Sequence, residues 1–463
     1  MSTTPVIAVF DIGKTNKKLF LLDKQYGIVL ERCIQLDESR DEDGDVCEDL
    51  RLLTQWVKQS FHDVIQLRKF SVEAVNFSAY GASLVHLNKE GIPVTPLYSY
   101  LKPYSELLLE RFYRAYGPKN IISAETASPA LGSLNSGMQM YRLKHEKPER
   151  YHEIKYSLHL PQYIGFLITG QLCSEMTSIG CHTQLWDFKK NDYHKWVYDE
   201  NIVEKLPPIF ETRKVHPAIF SEKPLLAGVG MHDSSAALIP YLASFSDPFI
   251  LISTGTWCIS LNPFDRTPLT EEELNNDCLC FIEYRGNTVK ASRLFAGHEH
   301  ELQVARLAAH FNKPVNAYKK IKYQQAVIAG LEAKHLPDRH RKPYVAMKES
   351  AFAERDLSAF NNYEQAYHCL VADIMEQQRA SVELVMNDTR PKRIFVDGGF
   401  SGNAVYMNLL ADAFPGLEVF AASVAQSTAI GAALAIHPCW NEGSIPSGMI
   451  ELKYYKASEK LSS

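Results

Sequence analysis

Two stretches of this chain share one pattern, and that pattern constrains the fold more than any other feature. The first is an apolar strand, Val6-Ile7-Ala8-Val9-Phe10, followed by the turn Asp11-Ile12-Gly13-Lys14-Thr15-Asn16 and a second apolar run, Leu19-Phe20-Leu21-Leu22. The second is Phe249-Ile250-Leu251-Ile252, the turn Ser253-Thr254-Gly255-Thr256-Trp257, then Cys258-Ile259-Ser260-Leu261. Each predicts a β-hairpin with glycine and small hydroxyl residues at its tip. Glycine lets a backbone approach a ligand closely, and free N–H groups beside Ser/Thr hydroxyls suit phosphate oxygens. One such turn in each half of the chain predicts two lobes closing on one nucleotide.

The length of 463 residues is enough for two or three domains with their own cores. A net charge of −5, with no basic block, argues against a nucleic-acid partner. No apolar run approaches a membrane span. Met1-Ser2-Thr3-Thr4-Pro5 leads straight into a strand without the regions of a signal peptide. The 9 cysteines are scattered, and their odd number argues against a fully paired disulfide framework. Cys278 and Cys280 read as strand or loop thiols rather than a redox or metal pair. These features predict a cytoplasmic protein without a membrane partner; a monomer or homodimer is expected, although the sequence itself does not report oligomeric state.

Between the hairpins, the acidic stretch Asp37–Asp45 reads as a solvated loop, because its carboxylates lack the ligand spacing of a calcium loop. Leu53, Trp56, Val57, Phe61, Val64 and Ile65 recur at helical spacing and predict an amphipathic helix over Asp49–Phe70. A strand Val72–Ser78 follows, then a hairpin of Leu84–Leu87 with Ile92–Val94. Residues 100–220 are richer in helix and loop signals. Small residues after Asp233 predict a helix ending at Pro240, and Asp247-Pro248 marks the junction between lobes 1–245 and 246–463. The second lobe is expected to carry a long helix over Tyr363–Met386, a strand Arg393–Val396, a helix through Leu409 and Leu410, a strand Leu417–Phe420 and a small-residue helix Ser427–Ile436. Strands interleaved with helices imply mixed sheets flanked by helices.

Two further turns acquire meaning together: Gly230-Met231-His232-Asp233 and Asp397-Gly398-Gly399-Phe400-Ser401-Gly402-Asn403. Singly, a Gly-Gly turn is usually only a tight turn, and an Asp before a helical run is usually an N-cap. In this order, with the two hairpins, they resemble the FGGY family of carbohydrate kinases. The resemblance covers most of the chain and implies an α/β fold of two actin-like, hexokinase-type lobes with the active site in the cleft between them. The Met-His-Asp-Ser turn followed by Ser-Thr-Gly-Thr-Trp is most similar to the L-rhamnulokinase and L-fuculokinase side of the family.

The resemblance implies roles that the chemistry of phosphoryl transfer can use, since that reaction asks mainly for alignment and charge neutralisation. Asp11 would hold Mg²⁺ through water. Gly13, Lys14, Thr15 and Asn16 would meet the β- and γ-phosphates of ATP, and Thr254, Gly255 and Thr256 would close over the same tail. Gly398 and Gly399 would let the backbone lie against adenine or ribose, with Asn403 starting the next helix. Asp233 would be the general base. Ala79, Tyr80, Gly81 and His232 would contact the sugar, with His182 and Thr183 from the segment Thr177–Thr183.

The implied reaction transfers the γ-phosphoryl of Mg-ATP to a ketose or deoxyketose, L-rhamnulose or L-fuculose foremost, with L-xylulose, L-ribulose or another pentulose as alternatives. A sugar-independent ATPase or phosphohydrolase and a sugar sensor are the rivals from other classes. Two family elements are missing: Leu97–Pro103 contains no Asp or Arg where a sugar-facing pair is expected, and the Lys-containing signature is absent near Ser128–Gly132. Gly297-His298-Glu299-His300-Glu301 has metal-ligating residue types. A helix there would put His298 and His300 on different faces, and the reading is against a metal site.

Overall fold

The computed structural model describes residues 3–219, 224–332, 350–424 and 426–458. It contains two compact units. The first comprises Met1–Ser244, Cys280–Thr288 and Ala425–Met449; the second comprises Phe245–Leu279, Val289–Val424 and Ile450–Ser463.

The first unit is organised on the strand Phe70–Ala79, which is buried along its last six residues. Strand Thr4–Ile12 runs parallel to it on one side, and Leu226–Gly228 and Met231–His232 run parallel on the other. Strand Lys17–Asp23 returns antiparallel to Thr4–Ile12, so the first hairpin forms as its apolar pattern predicts. Val6–Phe10 is a continuous apolar run because both faces of this strand are covered. The register decides what gathers at the strand ends. Ser78 is the partner of both Asp11 and Met231, and Ala79 of both Ile12 and His232. Parallel strands that end together make the edge where α/β sheets hold ligands.

The amphipathic helix spans Leu50–Ile65, with Asp49 accepting from the Leu52 N–H at 2.9 Å as its N-cap. It stops short of Phe70 because that residue is claimed by the sheet, paired with Thr4. Leu84–Leu87 pairs with Tyr156–His159 on one side and turns back on Ile92–Val94 on the other, as expected. That short hairpin consists of the Leu87–Pro93 bridge, with the Asn88 N–H donating to the Ile92 carbonyl and the Val94 N–H to the His86 carbonyl, each at 2.9 Å.

The acidic stretch is largely exposed, as a solvated loop would be, but it is folded rather than irregular. Glu38–Arg40 and Val46–Glu48 form a small hairpin whose turn surrounds Lys102. The Lys102 ammonium, with its side chain 3 % exposed, reaches Asp41 at 2.6 Å, Asp43 at 3.1 Å and Asp45 at 2.5 Å. A buried ammonium needs anionic partners, and the aspartates supply them.

The helix after Asp233 runs to Ser244, straight through Pro240. Proline cannot return an N–H to the carbonyl four residues earlier, here Ala236. That oxygen faces Gly431 of the helix Ser427–Ala435, where any Cβ would overlap it. The close approach gives the orphaned carbonyl a Cα–H neighbour and explains how the proline is tolerated. Asn76 adds a tie, donating to the Ala432 carbonyl at 2.7 Å and accepting from the Gly230 N–H at 3.3 Å.

In the second unit the sheet runs Thr288–Leu294, Cys258–Asn262, Phe249–Thr254, Arg393–Gly398, Glu418–Ser423, Glu451–Tyr455. The second hairpin is present, closing at Thr254–Cys258. Helix Tyr363–Met386, capped by Asn362, packs against helices Ala296–His310 and Ala404–Ala413. Cys278 and Cys280 are buried in the strand Cys278–Ile282. No helix among the described residues is long and apolar enough to cross a membrane.

Candidate functional site

The aligned strand ends of the first unit bring Asp11, Ala79, Tyr80, Gly81, His232 and Asp233 together. Asp11 accepts a hydrogen bond on Oδ2 from the Thr428 hydroxyl at 2.7 Å. Burial pushes its carboxyl up to about 6, against the lowering effect of Thr428, and the nearby charge of Asp233 adds to the rise. Asp233 begins its helix with 31 % of its side chain exposed, and loss of hydration pushes it up to about 6 as well. Ser234 donates to Asp233 Oδ1 through its N–H at 2.6 Å.

His232 is buried beside the Asp233 carboxyl. Its Nε2 lies 3.2 Å from Asp233 Oδ1 and 3.1 Å from Cys181 Sγ, while its backbone N–H donates to the Thr177 hydroxyl oxygen at 2.9 Å. Its Nδ1 is buried with no hydrogen-bond partner among the described residues. Burial lowers the imidazole to about 4, so it is neutral at physiological pH. Gly81 is required here sterically: a Cβ would stand 2.9 Å from His232 Nε2.

The turn of the first hairpin closes through the Gly13 N–H, which donates to the Asn16 carbonyl at 2.9 Å. Thr15 and Asn16 are exposed, and Asn16 Oδ1 accepts from Gln35 at 3.0 Å. Lys14 Nζ lies 5.9 Å from the centroid of the Tyr80 ring. The Tyr80 hydroxyl is bonded to Glu48. Thr183 is a turn cap, donating to the Ile179 carbonyl at 2.6 Å and accepting from the Leu185 N–H at 3.1 Å. His182 adopts a left-handed backbone (φ 39°) and, like His232, has its ring near Phe281.

Sequence reasoning missed several residues of this locality: Lys17, Lys18, Glu48, Gln426 and Thr428. Thr428 lies in the predicted small-residue helix, but nothing local in the sequence ties it to Asp11, 417 positions away. Tyr100 was also missed. It occupies the stretch that lacks the family's Asp and Arg, packs edge-on against Tyr80, and is near enough for the Asp233 charge to help burial raise its hydroxyl.

The second unit holds its own cavity, of about 630 Å³, lined by Gly255, Thr256, Gly297, Tyr318, Lys320, Gly399 and Asn403 among others. Gly398 stands at φ +87° with its α-carbon against the Thr254 carbonyl, where a Cβ would overlap the oxygen. Thr254 is built into this scaffold, its hydroxyl donating to the Asp397 carbonyl at 2.6 Å and accepting from the Phe400 N–H at 2.9 Å. Gly255 and Thr256 are exposed. Asn403 caps the helix Ala404–Ala413 through its Oδ1 and donates through Nδ2 to the Tyr367 hydroxyl at 2.8 Å. His300 lies within helix Ala296–His310 with its Nε2 3.0 Å from the same hydroxyl, while the His298 ring stacks on Phe295. The lysines around 319–322 lining the cavity gave no sequence signal.

No cluster of three or more His, Cys, Asp or Glu suited to a metal occurs among the described residues. Mg²⁺ does not need one, because it binds through one or two carboxylates together with substrate phosphates and waters. Asp11, a part-buried carboxyl at the end of its strand, fits that requirement.

Comparison with known proteins is consistent with this geometry. Residues 6–234 match the model described as FGGY family of carbohydrate kinases, N-terminal domain, and residues 246–443 match carbohydrate kinase FGGY, C-terminal domain. The chain is similar to a rhamnulokinase of Mannheimia succiniciproducens, 23 % identical over 281 residues, covering 58 % of this chain and 55 % of the relative. It is similar to a rhamnulokinase of Halalkalibacterium halodurans at 24 % identity over 268 residues, 54 % of each. The chain thus spans about half the length of the curated relatives it matches. The fold is similar to that of a carbohydrate kinase from Novosphingobium aromaticivorans (TM-score 0.81, 22 % identity, 98 % of this chain and 95 % of the other). It is also similar to a ligand-bound xylulose kinase from Lactobacillus acidophilus (TM-score 0.77, 17 % identity, 98 % and 94 %). The two family models take in both hairpin turns, Asp233 and the Gly398 turn, and on that match the chain belongs to the FGGY family of carbohydrate kinases, with the family's two actin-like lobes.

Proposed function

We propose that this chain transfers the γ-phosphoryl group of Mg-ATP to a hydroxyl of a ketose or deoxyketose, with L-rhamnulose and L-fuculose as the leading substrates and Asp233 as general base. The observation that carries this is the pairing of Asp233 with Asp11 at aligned strand ends, both carboxyls pushed up to about 6. A base held near the working pH is both ionised and able to take a proton. The two rhamnulokinases among the relatives support the choice of sugar.

Asp233 takes the proton of the attacking hydroxyl, and His232, fixed by Thr177 and Cys181, stands beside it as a sugar contact. Tyr100 and Tyr80 offer aromatic surface where relatives are expected to present charge, which suits a deoxy sugar's methyl group. Asp11 would hold Mg²⁺, which when bound neutralises charge on the transferring phosphoryl group. The glycine turns and lysines of the second unit's cavity take the adenosine and its phosphates. The protein acts in the cytoplasm, as a monomer or homodimer.

The pH dependence follows from Asp233. Turnover requires the ionised carboxylate, so kcat will rise as pH climbs through about 6 and level off above it. His232, already neutral, adds no second limb in that range. A profile flat from about pH 5 to 8 would contradict the assignment of the base.

The decisive test is ADP release from Mg-ATP across ketoses, deoxyketoses, aldoses and polyols, with a no-sugar control. Strong stimulation by L-rhamnulose or L-fuculose is expected. Stimulation by L-xylulose, L-ribulose or another pentulose would keep the kinase and change its substrate. A rate indifferent to sugar would mark an ATPase or phosphohydrolase, and no turnover with any sugar a sensor.

A further inference from the structure

Behind the phosphate turn lies a buried ion pair that the reaction does not directly use. Lys17 opens the second strand of the first hairpin, opposite Ile12, with its side chain 3 % exposed. Its ammonium is paired with Glu48, 4 % exposed, and donates to two backbone carbonyls of the turn, Lys14 at 2.8 Å and Gly13 at 3.2 Å. Glu48 in turn accepts from the Tyr80 hydroxyl. Three segments distant in sequence, the hairpin, the end of strand Val46–Glu48 and the turn after Phe70–Ala79, thus meet through one ion pair, Lys17 on one oxygen of Glu48 and Tyr80 on the other.

A turn that receives phosphate must present N–H groups and withhold its carbonyl oxygens, which repel anions. Lys17 draws two carbonyls of the turn towards the interior. The glutamate cancels its charge, so what Lys17 contributes to phosphate binding is the shape of the turn, while Lys14 carries the cation of the turn itself. We propose that Lys17, held by Glu48 and Tyr80, is the positioning residue that sets Gly13–Asn16 for the terminal phosphates of ATP. The proposal rests on the kinase reading and adds to it a residue outside the substrate's reach.

Removing one partner alone would leave a buried unpaired charge and destabilise the chain for reasons unrelated to phosphate. The informative variant is the double substitution Lys17→Met with Glu48→Gln, which removes both charges with little change of volume and is expected to melt near the wild-type temperature. Affinities of the full chain for Mg-ATP and for AMP are measured by titration without sugar, and KM for ATP and for the sugar by turnover. The expected result is Mg-ATP binding weakened by about tenfold or more, AMP binding and the sugar KM unchanged, and KM for ATP raised in step. A purely structural role would move AMP and ATP together. A folded double variant with the wild-type ratio of ATP to AMP affinity overturns the proposal.

Should the double variant fail to fold, Tyr80→Phe keeps the ion pair and the ring and removes only the hydroxyl on Glu48. In titrations without sugar, a several-fold loss of Mg-ATP affinity with AMP affinity unchanged is expected, and an unchanged ratio overturns the proposal. Wild-type protein that binds Mg-ATP no more tightly than AMP sinks the kinase reading and this one together. Wild-type discrimination retained by the variants sinks only this one.

Discussion

Asp233→Asn will bind nucleotide as the wild type does and lose about 10²–10⁴-fold in sugar-dependent kcat. The asparagine has the same shape, and its amide oxygen can still accept the Ser234 N–H that now bonds Asp233 Oδ1 at 2.6 Å. The helix start is therefore preserved, and what disappears is the capacity to accept a proton. The substitution also removes a carboxyl that burial has raised to about 6, and with it a charge that raises Asp11. No loss of thermal stability is expected, because the folded chain no longer holds a poorly solvated charge. The measurement is kcat with the best sugar, beside an ADP titration and a melting curve. Near-normal turnover in a folded variant would remove Asp233 from the mechanism.

Gly398→Ala will damage the other half of the machinery. At φ +87° and ψ −152° the backbone occupies a region open essentially to glycine, at a cost of about 1–3 kcal/mol for another residue. The methyl group would also overlap the Thr254 carbonyl oxygen in the neighbouring strand. Relief requires parting two strands at the point where Thr254 ties to Asp397 and Phe400. The cavity floor at Gly399 and Asn403 would move with them. A lower melting temperature and an AMP affinity reduced by more than about tenfold are expected. This is the reverse of the Lys17 and Glu48 variant, which should spare AMP. Unchanged AMP binding would place the nucleotide base elsewhere.

Much of this arrangement is legible in the sequence, and the reasons differ by element. The hairpins declare themselves because strand–turn–strand is a local pattern, and Tyr363–Met386 because 24 residues hold one helical period. Failures cluster where a distant partner decides. Pro240 reads as a stop, yet Gly431 shelters the carbonyl it orphans. Asp37–Asp45 reads as a loop by composition, yet Lys102 folds it. The site shows the same division. Asp11 and Asp233 belong to recognisable turns, whereas Thr428, Glu48 and Tyr100 reach them through pairings that no local window contains. Thr254 and Thr183 have the residue types of ligand contacts, but backbone groups engage their hydroxyls.

The return of the helix Ser427–Ala435 to the first unit bears on how the chain is made. On a ribosome, residues 1–244 emerge long before this helix, with the Ala236 carbonyl uncovered, Asn76 lacking Ala432 and Asp11 lacking Thr428. The nascent first unit must wait in an incomplete state while the second is synthesised. Its last layer closes only across a very long loop, the kind of late, non-local step that slows folding and exposes apolar surface. Resistance to division into separately expressed halves is built into the order of the segments.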